Sequence, residues 1–215
     1  MEFSTLEVSL DANVATIALN RPDKANAMSE PMWYEIEQAM QWLDETPEAR
    51  VGILVGRGKY FTSGIDLSLL MGLNAKIEDE DVGRRREKLR RLILRLQDTL
   101  TSIERCRKPV LAAVHGACIG GGIDMVTACD MRYCSANAYF TVKEIDVGMT
   151  ADVGTLQRLP RLVGEGMARE LAYTGRKVEG AEAQQMHLVN RCFETPEALH
   201  AGVMEIARSI AAKSP

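Results

Sequence analysis

The sequence predicts an α/β fold built on a parallel sheet. Segments with strand patterns alternate with segments of helical periodicity, and this alternation is typical of parallel strands joined by helices. The short runs at residues 51–55 and 109–114 are almost entirely apolar, as expected of strands that are covered on both faces. With 215 residues, of which 46% are hydrophobic, the chain is long enough to bury a core in one or two domains.

The first half of the chain predicts a strand region, a helix and a buried strand. Residues 8–20 have the pattern of a strand pair or of one bent strand. Ser29 is a suitable N-cap for the helix that follows, with Pro31 in its first turn. The apolar stripe of that helix contains Ile36, Met40 and Leu43. After the strand at residues 51–55, the glycines and polar residues predict a loop over residues 56–66.

The second half predicts a long helix, further strands and several shorter helices. A polar stretch leads into the long helix, whose apolar face contains Leu89, Leu92, Leu96, Leu100 and Ile103. Strands are expected at residues 109–114, 131–133 and 139–142. A helix opens at the glycines of residues 120–122, and the remaining helices are expected at residues 165–173, 181–185 and 195–213. Thr195 is the predicted cap of the last of these helices.

Composition and charge disfavour several classes of function. Lys and Arg total 26 against 30 Asp and Glu, and this net charge of −4 does not favour a nucleic-acid partner. No run approaches ~18 uncharged apolar residues, so membrane insertion is not expected. The five cysteines include no CxxC pair, which favours reduced thiols over a zinc site. The first residues lack the basic region of a secretory leader. We therefore expect a cytoplasmic location in a bacterium, while an organelle address beyond Pro215 stays open.

Three consecutive glycines, Gly120, Gly121 and Gly122, lie where a strand passes into a helix. Glycine costs backbone entropy, so this position requires close approach of a ligand, a free backbone N–H, or tight helix–strand packing. The unpaired N–H groups at a helix N-terminus stabilise negative charge. A second loop, at Ser63 and Gly64, also follows a buried strand. Together the two loops predict an oxyanion hole for a polarised carbonyl, with tight packing as the alternative.

Three carboxylates near the glycines are flanked by apolar residues: Asp124, Glu144 and Asp152. Partial desolvation raises the pKa of such acids and allows them to exchange protons near neutral pH. The alternative for each acid is a helix cap or an ion pair with an arginine such as Arg158. Asp146 competes with Glu144, because residues two apart on a strand share a face.

Several motifs follow one another in a fixed order along the chain. They are Asn20-Arg21-Pro22, Lys24-Ala25-Asn26-Ala27-Met28, Phe61-Thr62-Ser63-Gly64-Ile65-Asp66-Leu67, His115-Gly116 and Gly120-Gly121-Gly122. In this combination the sequence resembles the crotonase, or enoyl-CoA hydratase/isomerase, superfamily. The resemblance covers essentially the whole chain.

The resemblance implies a fold and an assembly. The fold is a crotonase-like spiral of ββα units with a helical C-terminal region, which is incomplete in this sequence. Residues 1–194 would form the spiral core, and residues 195–215 the start of a C-terminal helical region used for oligomerisation. The implied assembly is a homotrimer or a dimer of trimers.

The resemblance also implies where an acyl-CoA binds. The thioester carbonyl would accept hydrogen bonds from the N–H groups of Ser63 and Gly121 in an oxyanion hole. The implied residues for binding CoA and substrate are Lys24, Ala25, Ser63, Gly64, Ile65, Asp66, Leu67 and Gly122. The arginines of residues 84–95 are either a solvated helix face or neighbours of the CoA phosphates. No metal or cofactor is implied, since the CoA thioester is the substrate.

Within this superfamily the acids decide the reaction. The set of Asp124, Glu144 and Asp152 resembles that of isomerases which convert 3,5-dienoyl-CoA into 2,4-dienoyl-CoA in fatty-acid β-oxidation. In such enzymes a proton leaves C2 and another arrives at C6 through an oxyanion-stabilised dienolate. The resemblance assigns the base to Asp152 and the acid to Glu144, with Asp124 helping to keep Glu144 protonated.

Two other interpretations stay open from the sequence. An enoyl-CoA hydratase or a monoenoyl-CoA isomerase of the same superfamily is one, although hydratases carry glutamate at the position of Asp124 and glycine at that of Asp152. A non-catalytic acyl-CoA-binding protein is the other, and it is expected where a member of the family has lost its acids.

Overall fold

The chain begins with a β-hairpin. In the computed structural model, which describes residues 2–214, β1 (Leu6–Asp11) pairs antiparallel with β2 (Val14–Leu19). Ala12 and Asn13 join the strands with positive φ angles of 45° and 67°, as a tight hairpin turn requires. Residues 8–20 are therefore part of a strand pair, which was one of the two alternatives predicted from the sequence.

The main sheet continues from this hairpin with parallel strands. Its further members are β3 (Val51–Gly56), β4 (Val110–Val114), β6 (Met131–Ser135) and β9 (Arg191–Phe193). The strand order is β1-β2-β3-β4-β6-β9, and every pair after the hairpin is parallel. The α/β fold with a parallel sheet is thus confirmed. Strands β3 and β4 are buried along their whole length, as their apolar sequences predict.

A second, smaller sheet contains β5 (Ala117–Ile119), β7 (Tyr139–Thr141) and β8 (Val178–Glu179), in the order β5-β7-β8. A bridge between Thr62 and Cys118 joins the loop after β3 to this sheet. The units that begin with β4 and β6 therefore place their first strand in the main sheet and their second strand, β5 or β7, in the smaller one before a helix follows. The sequence pattern predicts β7 but neither β5 nor β8.

Eight helices complete the part of the chain from residue 2 to residue 214. They are α1 (Glu30–Glu45), α2 (Leu67–Ile77), α3 (Val82–Arg105), α4 (Gly121–Thr127), α5 (Thr155–Val163), α6 (Glu165–Thr174), α7 (Gly180–Gln185) and α8 (Pro196–Ala211). Ser29 occupies the predicted N-cap position of α1, although its hydroxyl accepts no N–H of that helix. The hydroxyl of Thr195 accepts the N–H of Ala198 at 3.2 Å in α8. Helices α2 and α5 are not predicted by the sequence pattern.

The two faces of the main sheet bury separate apolar cores. Along β2, Ile17 and Leu19 face the larger core with α1, whereas Val14 and Ala18 face the core beneath α8. Helix α8 covers that second face with Leu199, Val203 and Ala207. This helix therefore packs on the sheet of its own chain, and the division of the protein at residue 194 stays a prediction.

Helix α3 carries the arginine-rich stretch on exposed surface. Its cations pair with nearby carboxylates: Arg84 with Asp79 at 2.9 Å, and Arg91 with Glu87 at 2.9 Å. These contacts agree with a solvated helix face, which is one of the two alternatives for this stretch. None of the helices within residues 2–214 has the length and apolar character needed to cross a membrane.

Candidate active site

One pocket brings the three predicted acids together. It lies between the loop of residues 63–67, the N-terminus of α4 and the turns that precede α5. Asp124, Glu144 and Asp152 all line it. Its apolar wall includes Trp33, Ile65, Leu67, Leu70, Ile119, Val147, Met149 and Val153. The pocket therefore combines a long apolar surface with three carboxyl groups, an arrangement that suits an apolar chain with an acidic proton.

The smaller sheet holds the two loops of the pocket next to each other. The Ile119 N–H donates to the carbonyl of Thr62 at 3.2 Å, and the Gly120 N–H donates to the carbonyl of Thr141 at 3.0 Å. The first bond joins the loop after β3 to the start of α4. The second joins that start to the end of β7, from which Glu144 follows. The hydrogen bonds of this sheet thus fix the relative positions of the loop, the glycines and one of the acids.

The glycines around the pocket are required by close contacts. Gly64 has a φ of 88°, and a Cβ atom there would lie 2.7 Å from the carbonyl oxygen of Ile119 and 3.6 Å from the Gly121 nitrogen. Gly120 has a φ of 52°, and a Cβ atom there would lie 3.2 Å from Oε1 of Glu144. The absence of side chains at these positions allows the loop, the helix N-terminus and the acid to meet.

Close packing accounts for the absence of a side chain at Gly122. A Cβ atom at this position would lie 2.6 Å from the Cγ2 atom of Thr62 and 3.1 Å from the sulfur of Cys118. Gly122 does not line the pocket, and its contact with substrate or CoA stays a prediction. Packing therefore applies to Gly122, whereas Gly120 and Gly121 line the pocket.

The N–H group of Ser63 is not free. It donates to the carbonyl of Ala25 at 2.9 Å, which contradicts its predicted role as an oxyanion donor. Among residues 2–214, the N–H groups of Ile65 and Gly121 have no acceptor, and both residues line the pocket. Gly121 begins α4, where helical geometry leaves the first N–H groups unpaired. The available pair of donors is therefore Ile65 with Gly121.

The backbone around Ile65 explains why its N–H is left without an acceptor. The Met28 N–H donates to the Gly64 carbonyl at 2.8 Å, and the Asp66 N–H donates to the Met28 carbonyl at 3.1 Å. In an extended segment the backbone N–H and C=O groups of successive residues point to opposite sides. Since Gly64 and Asp66 bond to Met28, the N–H and C=O groups of Ile65 face away from Met28. The motif gives no sign of this alternation, because the bonding partner lies in a distant segment.

Asp124 is a buried acid in the first turns of α4. It is 1% exposed, and its Oδ1 atom accepts the N–H of Thr155 at 2.6 Å. Burial raises the pKa of Asp124 to about 6, against the opposing effects of the bond from Thr155 and the positive charge of Arg158. Asp124 thus accepts the first N–H of α5, as in the predicted alternative of a helix cap, and burial also keeps its pKa well above that of an ordinary aspartate.

Glu144 begins a 3-10 turn, Glu144–Val147, after β7. Its Oε2 atom is buried and has no hydrogen-bond partner among residues 2–214. Burial, followed by the negative charge of Asp124, raises the pKa of Glu144 to about 7. Asp146 instead forms an exposed ion pair with Lys143 and does not line the pocket. The structure thereby decides between the two acids that the sequence left as competitors.

Asp152 is partly buried in the turn before α5, and this burial raises the pKa of its carboxyl group. Its backbone carbonyl accepts a hydrogen bond from the Gln97 side chain of α3 at 2.6 Å. Arg158 supports the same turn, and its guanidinium pairs with Glu104 at 2.9 Å. The guanidinium also lies against the backbone of Gly154, where an added Cβ atom would be 1.8 Å from Nη1 of Arg158. No motif in the sequence indicates the supporting roles of Gln97 and Glu104.

The other residues predicted to bind CoA lie beside the pocket or at its entrance. Lys24 ends an exposed 3-10 turn, and Ala25 follows it with a φ of 49° and contacts the loop through Ser63. Asp66 caps α2 and pairs with Arg21 at 2.9 Å. Leu67 lines the pocket and is 63% exposed. Lys24, Ala25 and Asp66 do not line the pocket, and their contact with CoA stays a prediction.

Known proteins resemble this chain along almost its whole length. A family model described as enoyl-CoA hydratase/isomerase matches residues 9–215. The peroxisomal Delta(3,5)-Delta(2,4)-dienoyl-CoA isomerase of Arabidopsis thaliana is 47% identical over 99% of this chain and 78% of its own length. The mitochondrial protein of that name from Homo sapiens is 45% identical over 96% of this chain, which spans 63% of the human protein. A solved enoyl-CoA hydratase/isomerase from Xanthobacter autotrophicus Py2 superposes with a TM-score of 0.89 at 31% identity, over 100% of this chain and 76% of that one.

Proposed function

This chain belongs to the enoyl-CoA hydratase/isomerase family, and from that premise we propose that it converts 3,5-dienoyl-CoA into 2,4-dienoyl-CoA in fatty-acid β-oxidation. The observation that carries the proposal is the convergence of Asp124, Glu144 and Asp152 in one apolar pocket. The relatives that are 45% and 47% identical carry the name of this isomerase, which supports it over a hydratase or a monoenoyl-CoA isomerase.

The thioester carbonyl accepts hydrogen bonds from the N–H groups of Ile65 and Gly121. Negative charge develops on this oxygen when the C2 proton leaves. The two fixed donors stabilise the charged oxygen more than they stabilise the neutral carbonyl. A donor of this kind contributes about 3 kcal/mol to the stability of the transition state. The N-terminus of α4 adds a favourable dipole at the same place.

Asp152 accepts the C2 proton, and Glu144 donates a proton to C6. Breaking the C2–H bond leaves a dienolate, whose electrons shift along the chain until C6 takes a proton and the conjugated 2,4-diene forms. At the end Asp152 is protonated and Glu144 is ionised, so one proton must return to Glu144 before the next turnover. With a pKa of about 7, Glu144 holds its proton at neutral pH far better than an ordinary glutamate does. The negative charge of Asp124 supports this protonated state.

An ultraviolet assay tests the proposal. The 2,4-dienoyl thioester is more extensively conjugated than the substrate, so its formation shifts the absorption band to longer wavelength. We expect Glu144→Gln and Asp152→Asn each to lower kcat by about 10²–10⁴-fold, the usual contribution of a positioned acid or base. Asp146→Asn is the matched control, since Asp146 does not line the pocket.

Two outcomes of the same assay would contradict the proposal. Loss of absorption on incubation with a 2-enoyl-CoA, without conversion of the 3,5-diene, would indicate a hydratase. Binding of acyl-CoA with turnover of neither substrate would indicate a non-catalytic binding protein.

Assembly and location belong to the same proposal. Family membership and exposed apolar side chains at Leu67, Met71 and Val147 support a homotrimer or a dimer of trimers. Light scattering after size exclusion tests this, and a monomer at micromolar concentration would contradict it. The names of the two relatives give a peroxisomal and a mitochondrial location. They support a location in an organelle if the source is eukaryotic, whereas a bacterial protein would be located in the cytoplasm.

A further inference from the structure

The N-terminus of α1 lies against both donors of the proposed oxyanion hole. Ser29 is the N-cap of this helix, so Met28 precedes the cap and Trp33 is the fourth helical residue. Side chains at these two positions commonly pack together and fix the direction in which the chain enters a helix. Here both are buried, at 0% and 1% exposure, and Trp33 Nε1 donates to the Met28 carbonyl at 3.1 Å.

The backbone of Met28 holds the segment that contains Ile65. Its N–H bonds to the carbonyl of Gly64 and its carbonyl accepts the N–H of Asp66, as described above. These two bonds leave the Ile65 N–H turned away from Met28 and without an acceptor, in a residue that lines the pocket. The Met28 carbonyl therefore accepts two hydrogen bonds, from the Asp66 N–H and from the Trp33 indole, and the indole bond restrains its orientation.

The side chains of Met28 and Trp33 hold Gly121. A Cβ atom on Gly121 would lie 3.2 Å from the Met28 sulfur and 3.6 Å from the Cζ2 and Cη2 atoms of the Trp33 ring. The start of α4 therefore rests directly on these two side chains. Trp33 also lines the pocket, so its ring contacts both Gly121 and the pocket.

We propose that Met28 and Trp33 are the positioning residues of the oxyanion hole, because this one pair sets the spacing between the Ile65 and Gly121 donors. Met28 acts through its backbone on Ile65, and both side chains act through packing on Gly121. Small displacements of groups that contact a transition state cost rate more than they cost binding. The inference rests on the proposed function, since it assigns those two N–H groups to the thioester oxygen.

Trp33→Phe tests this inference, because it keeps an aromatic ring and removes the indole N–H. The matched control is Trp42→Phe, at the other tryptophan of the chain, which is partly buried in the same helix and does not line the pocket. We expect Trp33→Phe to lower kcat by about tenfold with KM changed by less than about threefold, as for weakened stabilisation of the transition state. Trp42→Phe should change neither constant.

A spectroscopic measurement separates positioning from general loss of structure. Raman difference spectra of a bound acyl-CoA report the thioester C=O stretch, which moves to lower frequency when donors polarise the carbonyl. Trp33→Phe should move this band back toward its position in free acyl-CoA, whereas Trp42→Phe should leave it in place. A folded Trp33→Phe variant with unchanged kcat and an unchanged C=O band would overturn the inference.

Met28→Leu is the second variant, in case Trp33→Phe fails to fold. It conserves volume and the backbone hydrogen bonds, and it replaces the sulfur that lies against Gly121, so we expect a loss in kcat of about two- to threefold and a smaller band shift. An unchanged band in this variant would then decide against the inference. Wild-type protein that polarises the bound thioester without isomerising 3,5-dienoyl-CoA would refute the proposed function and leave the positioning role intact. An unpolarised carbonyl in the wild type would overturn the positioning role itself.

Discussion

The raised pKa of Glu144 predicts the pH at which activity falls. Burial and the neighbouring charge of Asp124 raise this pKa from an ordinary 4.5 to about 7. A carboxyl group with a pKa of 7 is about half protonated at pH 7, whereas one at 4.5 is protonated in only about one molecule in 300. The pocket thus increases the acid form by about two orders of magnitude. If Glu144 delivers the proton to C6, kcat/KM must decrease as pH rises above about 7.

Asp124→Asn is the perturbation that tests the cause of this shift. The asparagine oxygen still accepts the Thr155 N–H, but the negative charge that raises the pKa of Glu144 is gone. The pKa of Glu144 therefore decreases in the variant, and the alkaline decline in kcat/KM moves to lower pH. Each pH unit of movement corresponds to about 1.4 kcal/mol of lost interaction between the two acids. Above the decline, activity falls about tenfold for each further unit of pH.

The assay is the formation of the 2,4-diene at constant ionic strength from about pH 5.5 to about pH 9, a range that covers both sides of the expected decline. Wild type, Asp124→Asn and the control Asp146→Asn are compared, and the control should follow the wild-type profile. The apparent pKa values belong to the coupled set of acids, so the direction of the movement is the decisive quantity. Superimposable profiles for wild type and Asp124→Asn would refute the electrostatic coupling. A flat profile through pH 7 would refute Glu144 as the proton donor.

Three further predictions concern close contacts and the buried charge. Gly64→Ala should lower the free energy of unfolding by about 1–3 kcal/mol and remove most activity, because its φ of 88° and a carbonyl 2.7 Å from the new Cβ both oppose a side chain. Gly72→Ala, with no atom within 4 Å, is the control in thermal unfolding, and equal losses in the two variants would contradict the reasoning. Gly154→Ala should displace the guanidinium of Arg158 and lower kcat several-fold, as for the small misplacement of a catalytic group, and wild-type kinetics would contradict this. Asp124→Asn should raise the melting temperature at pH 7.5, because an acid whose pKa rises from 3.8 to about 6 on folding costs up to about 3 kcal/mol above pH 6. This gain should disappear below pH 3.8, where the carboxyl group is protonated in both states, and a pH-independent gain would contradict the electrostatic origin.

Local signals predict most of the secondary structure. The cap residues Ser29 and Thr195 mark the beginnings of α1 and α8 because capping acts within one turn of helix. Helix α2 escapes prediction because apolar residues at its start are consecutive and give no single stripe. Helix α5 escapes because Gly154 precedes it and Pro160 lies inside it, and both residues usually interrupt helices.

The acids of the site are easier to predict than its donors. Asp124, Glu144 and Asp152 are recognisable because carboxyl groups in apolar surroundings are unusual. The choice between Ser63 and Ile65 depends on which N–H groups Ala25 and Met28 leave unpaired, and such long-range pairing is not encoded in the motif itself. Glu144 and Asp146 would share one face only if this segment were a strand. The backbone there forms a 3-10 turn, which separates the two side chains.

The two sides of the pocket differ in how firmly the fold holds them. The glycines at the start of α4 are buried and bonded to the smaller sheet, whereas most residues from 145 to 150 lie on exposed turns. Mutations in those turns can replace or relocate a carboxyl group with little effect on the core. Changes in this one surface segment can therefore give the fold a different reaction on the same activated thioester. The buried donors that stabilise an enolate stay unchanged in such a variant.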